Sequence, residues 1–106
     1  MNKNNLNEFI RGWFVGDFEP SLLKSKEVEV AVKKYVAGQM EDKHIHKIAT
    51  EITVIISGEV EMNGIRYVAD DVITIEPYEK TDFKCITDAI TVVVKMPCIS
   101  GDKYVE

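Results

Sequence analysis

The sequence predicts an all-β fold, either a sandwich or a small barrel, with little or no helix. Three observations support this. The chain has 25 valines and isoleucines but only 8 leucines and alanines, and β-branched side chains favour sheets over helices. Apolar and polar residues alternate along short segments. Turn residues separate these segments at intervals of roughly 8 to 12 residues, as in sandwiches and barrels.

The predicted strands follow one another from residue 27 onward. Val28, Val30 and Val32 alternate with charged residues, so the first strong strand covers 28–36, before Gly38. Asn63 and Gly64 form a dipeptide that favours a type I′ hairpin turn, because both residues tolerate positive φ. The remaining predicted strands are 44–48, 51–57, 59–62, 65–68, 72–75, 81–86 and 89–96, with a tight turn at 49–50.

The chain is predicted to form one domain with an N-terminal extension. Residues 27–106 form the β-barrel domain, and residues 1–26 pack on the barrel or on a partner subunit. Trp13, Phe14 and Phe18 lie in this extension and are too apolar to be left in water. The strand 51–57 is apolar on both faces, so its outer face also needs cover. We therefore expect a homodimer.

Composition and charge exclude several classes of function. The net charge of −5 offers no basic surface for nucleic acid or acidic membranes. No apolar run approaches the roughly 20 residues that span a bilayer, and no secretory signal is evident, so we expect a cytoplasmic protein. Cys85 and Cys98 show no zinc-binding spacing, and we expect both thiols to be reduced.

One segment carries residues suited to metal binding. His44 and His46 are two positions apart on a predicted strand, so both side chains project from the same face. The turn at 49–50 could bring Glu51, on the next strand, beside them. Two imidazoles and a carboxylate around open positions can hold a divalent transition metal such as iron, manganese, nickel or zinc.

The order of these residues resembles the first sequence motif of the cupin superfamily. Gly38 is followed after five residues by His44, then His46, Glu51 and Gly58 at the motif spacing. The resemblance covers about residues 28–97 and implies a double-stranded β-helix, or jelly-roll barrel. It also implies that His44, His46 and Glu51 are metal ligands and that the two glycines lie in turns.

The second cupin motif is degenerate in this chain. Asp70 and Asp71 align with its Gly-Asp pair, and 72–75 align with its strand. In this alignment Thr81 occupies the position of the fourth ligand, usually a histidine. A shift of one residue would place Asp82 there, and a carboxylate could bind the metal. We prefer the alignment with Thr81 but retain Asp82 as a candidate metal ligand, since only one of the two can face the interior.

The resemblance leaves three functional hypotheses open. The first is an enzyme whose metal polarises a small oxygen-rich substrate for isomerisation, decarboxylation or oxygenation. The second is a protein that binds a sugar or organic acid without turnover, with or without metal. The third is a metal-free sugar-nucleotide epimerase, for which Lys33, Lys47 and Arg66 would be the diphosphate donors. The third ranks last, because so few basic residues are available to bind a diphosphate. The choice between the first two stays open, because one fold can serve many chemistries.

Overall fold

The computed structural model of the protein describes residues 1–105. Short 3-10 turns at Leu6–Glu8 and Ile10–Gly12 precede the first strand. The strands within the described residues are β1 (Trp13–Val15), β2 (Glu29–Tyr35), β3 (Met40–Ile45), β4 (Thr50–Ser57), β5 (Glu59–Met62), β6 (Ile65–Val68), β7 (Val72–Ile75), β8 (Thr81–Cys85), β9 (Ala89–Met96) and β10 (Tyr104–Val105).

Two antiparallel five-stranded sheets form the body of the protein. One has the strand order β1-β2-β9-β4-β7 and the other has the order β10-β3-β8-β5-β6. Ile55 and Ala89 of the first sheet pack with Val60, Phe83 and Cys85 of the second in one buried cluster. The predicted all-β class and double-stranded β-helix architecture are therefore confirmed.

Strand alternation explains which side chains enter the interior. On β4, Thr53 and Ile55 are buried, while Ile52 and Val54 on the opposite face are half-buried and Ile56 is exposed. This outer face carries apolar residues, as the sequence indicates, and the homodimer that would cover it stays a prediction.

The sequence places most strands correctly but misplaces β3. Strands β5, β6, β7 and β9 have the predicted bounds, and Asn63 and Gly64 have φ values of 52° and 79°, as a type I′ turn requires. The strand predicted at 44–48 instead covers Met40–Ile45, and a loop follows it. The alternation in this polar stretch is weak, and contacts with the distant C-terminal segment fix the loop.

The two ends of the chain add strands to the sheets. Trp13 of β1 is paired with Ala31 of β2. At the other end, Tyr104 and Val105 of β10 are paired with Ile45 and His44 of β3. The C-terminal segment thus lies along the strand that carries His44 and ends just before His46.

Two further observations concern the whole described chain. No helix in residues 1–105 is long and apolar enough to cross a membrane. Cys85 is buried and Cys98 is half-buried, and neither forms a disulfide. Burial raises the pKa of the Cys85 thiol to about 11, so this thiol is protonated at neutral pH and packs as a small apolar group.

Candidate functional site

A cavity of about 460 Å³ opens between the two sheets. This volume lies within the range of small-molecule sites, roughly 300 to 1,000 Å³. His44, His46 and Glu51 all line the cavity, as the sequence predicts. Phe83 and Tyr35 form part of its apolar wall, with ring centres 4.9 Å apart.

The two histidines are held in a defined arrangement. Their ring centres are 5.1 Å apart and the ring planes are inclined by 72°. His44 Nδ1 lies 2.8 Å from the carbonyl oxygen of Asp42. In the neutral tautomer that donates from Nδ1 to this carbonyl, the lone pair lies on Nε2, where a ligand can bind.

His46 carries a buried nitrogen with no partner. Its side chain is 6% exposed, and its Nε2 atom has no hydrogen-bond partner. Burial, with the positive charge of Lys95 and the proximity of His44, lowers the pKa of His46 to about 4. The ring is therefore neutral at pH 7, which is the form that binds a metal ion. A buried polar atom without a partner is uncommon and marks a place for a ligand.

The histidine pair fits a divalent transition metal, but a third donor does not join it in this side-chain arrangement. Two imidazoles bound to one ion at about 2.1 Å have ring centres roughly 4.5 to 5.5 Å apart, and the observed separation falls in this range. However, no group of three His, Cys, Asp or Glu side chains in residues 1–105 is placed to share an ion. The carboxylate of Glu51 instead accepts a hydrogen bond of 2.9 Å from the Thr53 hydroxyl.

Thr81 is the residue that the preferred alignment places at the fourth ligand position. It is buried and is paired with His44 across the β3–β8 ladder. Asp82 also borders the cavity, but its Oδ1 accepts a hydrogen bond of 2.6 Å from the backbone N–H of Asn63. The Asp82 N–H in turn donates to Asn63 Oδ1 at 3.2 Å. The contacts of Asp82 thus stabilise the β5–β6 hairpin, and its role as a metal ligand stays a prediction.

The cavity also carries cations that the sequence analysis did not single out. Arg11, Lys95 and Lys103 line it together with Lys33. The alternation of side chains along β9 could have predicted that Lys95 faces the interior, because it shares a face of this strand with the buried Thr91 and Val93. Arg11 and Lys103 lie outside the long strands, where alternation gives no signal.

Two of the three proposed diphosphate donors lie away from the cavity. The Lys47 ammonium lies 4.0 Å from the ring centre of Tyr104. Arg66 is paired with Glu59, with 3.4 Å between Nη1 and Oε1. Only Lys33 of the original three lines the cavity, so the other two predicted donors are not part of its lining.

Comparison with known structures assigns the fold. The chain is similar to an uncharacterised protein with a double-stranded β-helix domain from Klebsiella pneumoniae, with a TM-score of 0.72 and 22% identity over 97% of this chain and 89% of that one. It is similar to an RmlC-like cupin from Shewanella frigidimarina, with a TM-score of 0.65 and 19% identity over 71% and 70% of the two chains. A recombinant oxalate oxidase in complex with glycolate matches with a TM-score of 0.60 and 21% identity over 71% of this chain and 44% of that one.

These similarities define the class of protein by its architecture. No protein-family model matches the sequence, and no curated protein matches it. The chain has the cupin fold, a double-stranded β-helix, and its histidine pair lies inside the barrel.

Proposed function

We propose that this protein binds a small oxygen-rich metabolite, an organic acid or a sugar, in its barrel at a divalent metal held by His44 and His46. The single observation that carries the proposal is the histidine pair. One ring is anchored through Nδ1 to a backbone carbonyl, the other has a buried Nε2 with no partner, and both residues line the same cavity. The similarity to a recombinant oxalate oxidase in complex with glycolate supports a small acid as ligand.

The cavity residues have distinct roles in this proposal. His44 and His46 would hold the ion, and Glu51 would join them if its side chain left the Thr53 hydroxyl. A divalent ion at this position would act as a Lewis acid that polarises a bound carbonyl or carboxylate. Such polarisation would support isomerisation, decarboxylation or oxygenation of the ligand. The apolar wall formed by Phe83 and Tyr35 would exclude water from one side of the ligand.

A second candidate function is a metal-free binding protein. The observation that favours it is the position of Glu51, whose carboxylate bonds to Thr53 rather than facing the two imidazoles. In this case the unpartnered His46 Nε2 would accept a hydrogen bond from a ligand hydroxyl.

Metal analysis separates the two candidates. We expect untagged protein, reconstituted with zinc, manganese, iron or nickel and dialysed, to retain about one ion per chain. His44→Ala and His46→Ala should each lower the affinity at least roughly 100-fold, because each removes one of two anchoring ligands. Inductively coupled plasma mass spectrometry measures the content. Wild-type protein that retains no stoichiometric ion would refute the metal site and leave the metal-free candidate.

The third ligand is tested by a pair of glutamate variants. We expect Glu51→Gln to lower metal affinity about tenfold, since an amide oxygen is a weaker ligand than a carboxylate. Glu27→Gln is the matched control, because it removes the same charge from an exposed residue outside the cavity. Equal metal retention by both variants would show that the site uses the two histidines alone.

Asp82 is tested separately through stability and metal content. We expect Asp82→Ala to lower the free energy of unfolding by about 1 kcal/mol, because the Asn63 N–H loses its acceptor. We also expect this variant to keep the metal affinity of the wild type. Denaturant titration measures the first quantity and mass spectrometry the second. A loss of metal comparable with that of His44→Ala would show instead that Asp82 is a ligand.

A further inference from the structure

Two lysines lie near the single tryptophan of the chain on the wall formed by β1, β2 and β9. The Lys33 ammonium lies 5.6 Å and the Lys95 ammonium 5.3 Å from the ring centre of Trp13. The strand register explains this convergence. Trp13 is paired with Ala31 of β2, and Glu29 and Lys33 lie two residues before and after Ala31 on the same strand. Lys95 of β9 is paired with Glu29. Both lysines line the cavity that contains the histidine pair.

The positive charge of Lys33 is only partly compensated within the protein. Its Nζ donates a hydrogen bond of 3.1 Å to the backbone carbonyl of Arg11 and forms no ion pair with the described residues. Burial lowers the pKa of Lys33 although the negative charge of Glu41 acts in the opposite direction, so the cost of removing this ammonium from water is not fully offset. An anion placed beside this ammonium would offset that cost.

The charge of Lys95 is only weakly compensated. Its Nζ lies 3.9 Å from Glu29 Oε1, too far for a hydrogen bond, although the side chain is only 19% exposed. Arg11 and Lys103 add two more cations to the cavity lining. This accumulation stands out in a chain with a net charge of −5.

Four carboxylates line the cavity, and three of them accept hydrogen bonds from other groups. Glu51 accepts from the Thr53 hydroxyl, Asp82 from the Asn63 N–H, and Glu79 from the Glu76 N–H. The fourth, Glu41, lies close enough for its charge to act on Lys33, but the two side chains form no ion pair within residues 1–105. A ligand carboxylate in direct contact would complete the compensation of the two ammonium groups.

We infer that Lys33 and Lys95 form a carboxylate subsite that selects hydroxylated acids over neutral sugars. The inference deepens the proposed function, on which it rests, by naming the ligand class. Facing sheets pack about 10 Å apart, so one small molecule can place its carboxylate at the lysines and its hydroxyl oxygens toward the histidines. Trp13, which lies beside both ammonium groups, offers an aromatic ring for contact with the body of the ligand.

A matched pair of sugars tests the subsite. D-Glucuronate carries a carboxylate at the position where D-glucose carries a hydroxymethyl group. Isothermal titration calorimetry at constant ionic strength compares the affinities of the protein for the two sugars. We expect wild-type protein to bind D-glucuronate at least about tenfold more tightly. Fluorescence of Trp13, the only tryptophan, should change with D-glucuronate because the carboxylate would lie beside its ring. L-Malate is the second probe, which distinguishes a short hydroxy acid from a sugar acid.

The lysine variants supply the control. Lys33→Gln and Lys95→Gln should each weaken acid binding about tenfold, while Lys34→Gln, an exposed neighbour on the same strand, should have no effect. Melting temperatures and metal content of the variants verify that the barrel and the histidine site are intact. Should either glutamine variant fail to fold, Lys33→Arg and Lys95→Arg preserve the charge and should retain acid binding.

Each outcome has a distinct meaning. If L-malate binds in a lysine-dependent manner and D-glucuronate does not bind, the subsite is assigned to short hydroxy acids and the inference is supported. Equal binding of D-glucuronate and D-glucose with no response to L-malate, or equal losses in Lys33→Gln and Lys34→Gln, would overturn it. A metal-free wild type that still prefers D-glucuronate in a lysine-dependent manner would refute the proposed metal site alone. Metal-loaded wild type without acid preference would refute the subsite alone.

Discussion

Replacing Asp102 with alanine should lower the free energy of unfolding by about 3–5 kcal/mol. Asp102 is only 5% exposed, and its carboxylate accepts hydrogen bonds from three consecutive backbone N–H groups. Oδ1 accepts from Lys47 at 2.9 Å and from Ile48 at 3.2 Å, and Oδ2 accepts from Ile48 at 3.2 Å and from Ala49 at 2.9 Å. Removing the carboxylate leaves these donors without their acceptor. Such a loss is a large part of the free energy of unfolding of a typical protein, which is about 5–15 kcal/mol.

Measuring stability at acidic pH distinguishes the hydrogen bonding of the charged Asp102 carboxylate from a contribution made by packing of the side chain. Burial alone would raise the pKa of Asp102, but hydrogen bonds from Ala49, Lys47 and Ile48 outweigh it, and the pKa is lowered. A depressed folded-state pKa contributes stability above the unfolded value of about 3.9, and this contribution is lost as the pH falls through the folded-state value. The stability difference between wild type and Asp102→Asn should therefore shrink as the pH falls from about 5 to below 4.

A second aspartate provides the control for Asp102. Asp42 lies on β3 close to the same loop, and its side chain is exposed. Asp42→Asn makes the same change in charge and should alter the free energy of unfolding by less than about 0.5 kcal/mol at neutral pH. Guanidinium titrations at several pH values measure both variants. Equal effects of the two substitutions would show that the contacts of Asp102 contribute little.

The Asp102 contacts also explain why the sequence predicts the histidine pair better than its surroundings. Side-chain alternation is local, so the spacing of His44 and His46 is enough to predict that both line one cavity, although β3 ends at Ile45 and His46 follows it. The end of β3 depends on a carboxylate some 55 residues away in sequence, and no local pattern reveals that partner. The predicted strand 44–48 is therefore too late, whereas β5 and β6, which the Asn63–Gly64 turn joins, have their predicted bounds.

The lining of the cavity shows a similar division between local and distant information. Alternation on β9 is sufficient to place Lys95 with Thr91 and Val93. Alternation does not predict that Trp13 pairs with β2 and lies near the ammonium groups of Lys33 and Lys95. The strand β1 is only three residues long, which is too short for an alternating pattern to be recognised. The sequence thus predicts a histidine pair for metal binding in a cupin fold, but not the convergence of Lys33 and Lys95 beside Trp13.

The two motif glycines should differ sharply when each is replaced by alanine. Gly38 and Gly58 have φ values of +90° and +87°, so either substitution incurs the strain of left-handed backbone, about 1–2 kcal/mol. At Gly38 an added Cβ would meet nothing within 4 Å. At Gly58 it would lie 2.1 Å from the carbonyl oxygen of Asp88 and 2.8 Å from Ala89 Cα. These are backbone atoms, which cannot move aside as a flexible side chain would.

We therefore expect Gly58→Ala to lower the free energy of unfolding by about 3–5 kcal/mol and Gly38→Ala by about 1 kcal/mol. Because the two glycines have nearly the same φ, their difference isolates the steric term at the junction of β4, β5 and β9. Guanidinium titration measures both variants, and thermal unfolding serves if Gly58→Ala populates the unfolded state without denaturant. Equal losses would show that backbone strain alone selects glycine at residue 58, and that the 57–59 turn can move away from Ala89.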